Sequence, residues 1–148
     1  MVEYGVSVLK KLLFIFLLLT SLLFGSDLKT EQRIYNLIIH TLLPNKEDIK
    51  VWGDSLHNKE LLNTIPNVRF ASSPQDADFL LVSKKPLQDP QGIIFVTDFN
   101  LLQKMKKSAV GGFFWQKGRP NILFLRKNLQ KKSIQLPESM QDYIEDEI

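Results

Sequence analysis

Few side chains in this 148-residue chain are able to carry chemistry. Asp54 follows the apolar segment Ile49 to Gly53 (IKVWG), and Asp98 follows Ile93 to Thr97 (IIFVT). In open α/β sheets ligands bind beyond the carboxyl ends of the strands, where a carboxylate can orient a small molecule or hold a hard cation such as Mg²⁺. The competing role is helix capping, in which Asp accepts hydrogen bonds from the unpaired N–H groups of the helix that follows. No third ligand or phosphate loop accompanies the pair. Capping is therefore the expected role of both, ligand binding is the alternative, and no metal or other cofactor is expected.

The remaining candidates are weaker. His40 and His57 are the only histidines. His57 stands two residues after Ser55, nothing like G-x-S-x-G surrounds it, and two histidines do not make a structural zinc site. With no cysteine, a thiol nucleophile, a disulfide scaffold and a Cys-based zinc site are excluded. Gly111-Gly112 lacks both G-x-G-x-x-G and the G-K-[ST] ending of a phosphate loop, and is expected to turn the backbone sharply into the strand that follows. The chain is accordingly read as a non-enzyme.

Charge and aromatic placement point to contact surfaces. The balance of 19 basic and 16 acidic residues, net +3, is too even to imply nucleic acid, and none is expected as a partner. The distribution is less even, because nine bases and no acid lie from Lys104 to Lys132, while five acids and no base lie from Glu138 to Glu147. The two blocks are expected to lie near one another and partly neutralise. Trp115, followed by Lys117 and Arg119, has the residue types over-represented at interface hot spots and is the candidate protein contact. Trp52, inside a strand, is assigned to the core.

These residues need a scaffold, and its elements are legible. Lys10 and Lys11 precede an apolar run from Leu12 to Phe24 and the small residues Gly25 and Ser26, the pattern of a secretory signal over residues 1–26. An uncleaved membrane anchor stays open. The expected location is the periplasm, and residues 27–148 form one domain of ordinary composition, 44% hydrophobic and 24% charged, which excludes a disordered or collagen-like chain.

Thr30 is placed as the cap of a helix with Ile34, Leu37, Ile38, Thr41 and Leu42 on one face, ended by Pro44. Strands are expected at Ile49–Gly53, Val68–Ala71, Phe79–Val82 and Ile93–Thr97, with helices after Asp54-Ser55 and over Asp98–Lys107. Phe113–Gln116 and Asn121–Leu125, joined by Lys117 to Pro120, form an antiparallel hairpin. Pro137 opens a last helix with Met140, Tyr143, Ile144 and Ile148 on its apolar side. Strands alternating with helices need crossovers, so the expected fold class is α/β: a three-layer Rossmann-like or flavodoxin-like domain, its mostly parallel sheet carrying a terminal antiparallel hairpin.

Four stretches also carry a family resemblance: Asp76-Ala77-Asp78-Phe79-Leu80-Leu81-Val82, Ile94-Phe95-Val96-Thr97-Asp98-Phe99, Gly111-Gly112-Phe113-Phe114 and Ile122-Leu123-Phe124. In order and spacing, over roughly residues 30–136, they resemble the YfiR family of small periplasmic proteins that restrain inner-membrane diguanylate cyclases. The chain departs from that family in having Phe113-Phe114 where Met-Ile is usual, Arg126-Lys127 where an Asn closes the returning strand, and no disulfide cysteines. The resemblance implies a periplasmic α/β fold and a non-enzymatic regulator in cyclic di-GMP signalling. Such a protein binds the external sensor region of a membrane-bound diguanylate cyclase and holds it inactive. In that reading Gly111 and Gly112 shape the hairpin and Trp115, Lys117 and Arg119 make the contact. A homodimer is left open. The competing readings are a periplasmic module that binds a small ligand or metal through Asp54 and Asp98, and an envelope enzyme with a metal between the same two carboxylates.

Overall fold

Phe79–Val82 and Ile93–Val96 are apolar at every position and buried at every position, the pattern of strands covered on both faces. They lie at the centre of a computed structural model that describes residues 28–88 and 90–148, together with Val8. The expected signal segment thus lies, Val8 apart, outside the described residues.

The described chain begins in a helix, α1 (residues 28–42), followed by β1 (Ile49–Gly53), α2 (Leu56–Asn63), β2 (Val68–Phe70), β3 (Phe79–Val82) and β4 (Ile93–Val96). Then come α3 (Phe99–Lys104), β5 (Gly111–Gln116), β6 (Arg119–Leu125), α4 (Arg126–Lys131), a 3₁₀ segment (Glu138–Tyr143) and the short β7 (Ile144–Glu145). The seven strands form one sheet in the order β2-β1-β3-β4-β5-β6-β7. Neighbours are parallel from β2 through β5, β6 returns antiparallel to β5, and β7 runs parallel to β6. The order 2-1-3-4-5 is that of flavodoxin-like doubly wound sheets. The protein is an α/β domain of Rossmann-like, flavodoxin-like architecture.

Successive side chains of a strand point to opposite faces, and the core divides accordingly. Ile49, Val51, Phe79, Leu81, Ile93, Phe95, Phe113 and Phe124 face one layer, where Tyr35, Ile38, Ile39 and Leu42 of α1, Leu61 and Leu62 of α2, and Leu129 of α4 cover them. Leu80, Val82, Ile94, Val96, Phe114 and Leu125 face the other, covered by Leu101, Leu102 and Met105 at α3. The first layer is rich in rings: Phe95 lies 6.3 Å edge-on to Tyr35, 6.1 Å from Phe79 and 5.8 Å from Phe124. Such pairs add about 0.5–1.5 kcal/mol each beyond the area they bury.

Several local expectations are corrected. Thr30 is not a cap, since the helix already includes Leu28. The buried stripe of α1 is Tyr35, Ile38, Ile39 and Leu42, while Leu37 is 56% exposed. Ile38 and Leu42 are common to the expected and observed stripes and Ile34 packs at the margin, so periodicity misplaced Leu37 and missed Tyr35 and Ile39, because a tyrosine fills an apolar face as well as leucine does. Beyond Pro137 the chain forms a 3₁₀ segment and then β7, which adds to the outer edge of the β5–β6 hairpin, with only Met140 of the segment buried, so no last α-helix forms there. The Lys-rich stretch after β6, which carried no helix assignment, forms α4 with Asn128 and Leu129 buried. Trp52 is half-buried rather than enclosed, packed against the α3 layer.

Candidate functional site at the carboxyl edge of the sheet

The strand order reverses between β1 and β3, the position at which open α/β sheets form a ligand crevice. Asp54, at the end of β1, fills that position with its own carboxylate. Both its oxygens accept from Ser83 N at 3.0 Å, and Oδ2 accepts from Lys84 N at 2.8 Å. Two successive backbone N–H groups converging on one carboxylate make the kind of concavity that elsewhere holds an anion. Asn58 completes the arrangement. It is 1% exposed, and its Nδ2 lies 3.1 Å from Asp54 Oδ1, 3.1 Å from Leu81 O and 2.7 Å from Ser83 Oγ. Ser83 Oγ in turn lies 2.6 Å from Thr97 Oγ1, so the ends of β1, β3 and β4 are joined by one polar network.

Asp54 is therefore not the cap of α2, contrary to expectation. That role belongs to Ser55, whose Oγ accepts from Asn58 N at 3.1 Å. Asp98 does cap α3, accepting from Leu101 N at 2.9 Å. Both carboxylates sit at the predicted edge, at the ends of β1 and β4 with β3 between them. Each is committed to N–H donors, and among the described residues no three His, Cys, Asp or Glu side chains gather to hold a metal.

The same edge carries a projecting arm. β5 pairs with β4 only through Gly111 and Gly112, whereas its pairing with β6 continues to Gln116 opposite Arg119. Phe113 and Phe114 are still buried in the two core layers, so the part that projects is Trp115 to Arg119 around the turn. The tip is a two-residue turn with positive φ at both Lys117 (51°) and Gly118 (74°), the combination whose twist matches a hairpin. Gly111 and Gly112 do not make a turn, which corrects the expected role. They lie within the strand, where a Cβ on Gly111 would stand 2.2 Å from Leu123 O and one on Gly112 would stand 3.0 Å from Val96 O. Glycine is needed there for close strand approach.

An aromatic and polar chain props the arm against α1. Tyr35 meets Phe113 edge-on at 5.6 Å, and Phe113 meets Trp115 at 5.9 Å. Trp115 Nε1 donates to Glu31 Oε1 at 2.8 Å, and Glu31 Oε2 lies 3.3 Å from His57 Nε2 on α2. Burial, reinforced by the Glu31 charge, pushes the Tyr35 phenol far above its ordinary pKa. Trp115 still leaves 41% of its surface exposed, and Lys117 at the turn and Arg119 on the returning strand are exposed as well. The three residues assigned to a protein contact share the arm but not one face: Arg119 is paired with Gln116 and so lies on the face opposite Trp115, which is paired with Pro120 and turned toward Glu31, while Gly111 and Gly112 lie buried at the base of the arm. His40 is half-buried on α1, apart from this group in sequence, and its Nε2 has no partner among the described residues.

At the opposite edge a cleft of about 500 Å³ is lined by Asp76, Asp78, Gln91 and Lys132, among others. Burial pushes the Asp78 carboxyl up, but hydrogen bonds from the Lys46 ammonium (2.6 Å) and Lys50 N (2.8 Å), with the charges of both lysines, outweigh it and hold the pKa below the ordinary carboxylate value.

Glu31, Asn58, Ser83 and Thr97 escaped the sequence reading. Asn58 had a usable signal, standing four residues after Asp54 and so one helical turn on. Glu31 had none, because its partners Trp115 and His57 are distant in sequence. Compared with protein-family models, curated proteins and solved structures, the chain matches none.

Proposed function

We propose that this protein is a non-enzymatic binding domain of the periplasm that docks through the β5–β6 arm onto the external sensor region of an inner-membrane protein and restrains it, as the YfiR-like stretches suggest for a diguanylate cyclase. One observation carries the reading: the arm presents a half-exposed Trp115 on the face turned toward α1 and the exposed cations Lys117 at its turn and Arg119 on its other face. A large ring already fixed by Phe113 and Glu31 loses little conformational freedom on binding, and Trp is among the residues that most often anchor an interface. Restraint then follows as a population shift, the bound state of the sensor being the inactive one.

The Asp54 and Asp98 reading, a small-ligand or metal module, has less support, because both carboxylates are engaged by the protein's own donors. The test is cyclic di-GMP in cells lacking the protein. The level is expected to rise on deletion, to return with the wild-type chain, and to stay high with a Trp115→Ala, Arg119→Ala variant that folds normally. No rise on deletion refutes the cyclase restrainer, and full rescue by the double variant removes the arm from the mechanism.

A further inference from the structure

The basic block of the sequence converges on one place. Lys106 and Lys107 follow α3, and Lys127 and Lys131 lie on α4; together with Leu125 and Asn128 they line a cleft of about 380 Å³. Asn128, 3% exposed, fixes the walls to each other by donating from Nδ2 to Lys106 O (2.8 Å) and Ala109 O (2.6 Å). Lys131 Nζ lies 3.3 Å from Lys107 O. The carbonyls following α3, which would repel an anion, are thus occupied by internal donors. None of the ion pairs among the described residues involves Lys106, Lys107, Lys127 or Lys131. Four exposed ammonium groups gathered round one depression with no acid of their own element favour a multiply charged anion.

The cleft already holds part of such a ligand. Asp146, Glu147 and the apolar Ile148 line its remaining side, brought there by the pairing of β7 with Phe124 and Leu125 of β6. Asp146 Oδ1 accepts from Arg126 Nε at 2.5 Å. Two lining side-chain carboxylates, one of them already paired with Arg126, face four lining lysines and leave the site short of negative charge. Among the described residues no aromatic side chain lines it, so these offer no stacking surface for a base.

We propose that this cleft binds a phosphate-bearing polyanion and that the Asp146-Glu147 segment is its internal competitor. The site is separate from the β5–β6 arm and does not depend on the function proposed for it. Phosphate chemistry of this kind is carried both by free anions and by anionic lipid headgroups, and the experiment separates the two.

The purified protein is titrated with inorganic pyrophosphate by calorimetry at low salt, and in parallel sedimented with vesicles of phosphatidylglycerol or of phosphatidylcholine. Asp146→Asn with Glu147→Gln is expected to tighten binding of at least one anionic probe about tenfold, and raising the salt to weaken it, since the contacts are ionic. Lys106→Ala, Lys107→Ala and Lys127→Ala together, all exposed positions, are expected to abolish binding while leaving the melting temperature unchanged. Binding of pyrophosphate without vesicles assigns a soluble anion; binding of phosphatidylglycerol vesicles alone assigns a headgroup. If the Asp146→Asn, Glu147→Gln variant binds neither probe, or if the lysine variant binds as well as wild type, the proposal is wrong. Binding to phosphatidylcholine as strong as to phosphatidylglycerol also overturns it. Should the tail variant be destabilised, Glu147→Gln alone keeps the Asp146 to Arg126 pair and is expected to tighten binding by a smaller factor.

Discussion

Replacing Asp54 by alanine removes the acceptor shared by Ser83 N, Lys84 N and Asn58 Nδ2. The three donors are not equally harmed. Lys84 is exposed, so water replaces the carboxylate there, and Asn58 retains Leu81 O and Ser83 Oγ. Ser83 N, half-buried beneath the site, is the donor left without a good substitute. A hydrogen bond to a charged group contributes about 1.5–3 kcal/mol net, so the loss centred on Ser83, with a smaller part from Asn58, comes to about 3 kcal/mol. For a domain of this size that is a fall of about 12 °C in melting temperature, at about 4 °C per kcal/mol. Asp54→Asn keeps one carbonyl oxygen and is expected to lose about half as much. Urea unfolding followed by circular dichroism reads both. A loss below about 1 kcal/mol for Asp54→Ala would show that the carboxylate does not clamp the β1 and β3 ends, and would reopen the crevice as a ligand site.

Three further outcomes follow from particular contacts. The Tyr35 phenol is raised in the folded protein, so its contribution to stability is complete below the unfolded value of about 10 and declines as pH rises above it; urea midpoints of wild type are expected to fall above about pH 10, and those of Tyr35→Phe to fall less. Asp78 is lowered in the folded protein, so its contribution is present above the unfolded value of about 3.9 and is lost as pH falls through the folded one; Asp78→Asn should be less stable than wild type at pH 7, with the difference closing below pH 4, and a constant difference would refute the ionic account. Gly111→Ala sets a methyl group 2.2 Å from Leu123 O, which only separation of β5 from β6 relieves; a loss of about 3 kcal/mol is expected from such overpacking, read as a lowered urea midpoint.

The strands were the most legible part of the fold. FLLV and IIFV are apolar throughout, and a run of four such residues bounded by turn residues has little choice but to lie inside a sheet covered on both sides. Helix α1 was legible as an element but not in every residue of its buried face, because Leu37 and Tyr35 both satisfy the spacing and only contact with Phe95 and Phe113 selects the tyrosine. The segment after Pro137 misled for a related reason. Helical spacing of Met140, Tyr143 and Ile144 is real, but the open edge of β6 offers Ile144 and Glu145 backbone hydrogen bonds that an exposed helix turn there would forgo.

The candidate sites divide along the same line. Residue type and local spacing were enough to place Asp98 as a cap, to put both carboxylates at the carboxyl edge, and to bring Trp115, Lys117 and Arg119 to a hairpin tip, since each depends on neighbours a few positions away. That Asp54 reaches across to Ser83 and Lys84, that Glu31 holds Trp115, and that two glycines serve a close approach between strands depended on chain segments 29 to 84 residues apart for the hydrogen bonds and on the registers of both β4 and β6 for the glycines. Local order follows from short-range sterics and hydrogen bonding that any window of sequence displays. The partners of a polar side chain follow from strand order and register, which come from packing the whole core at once.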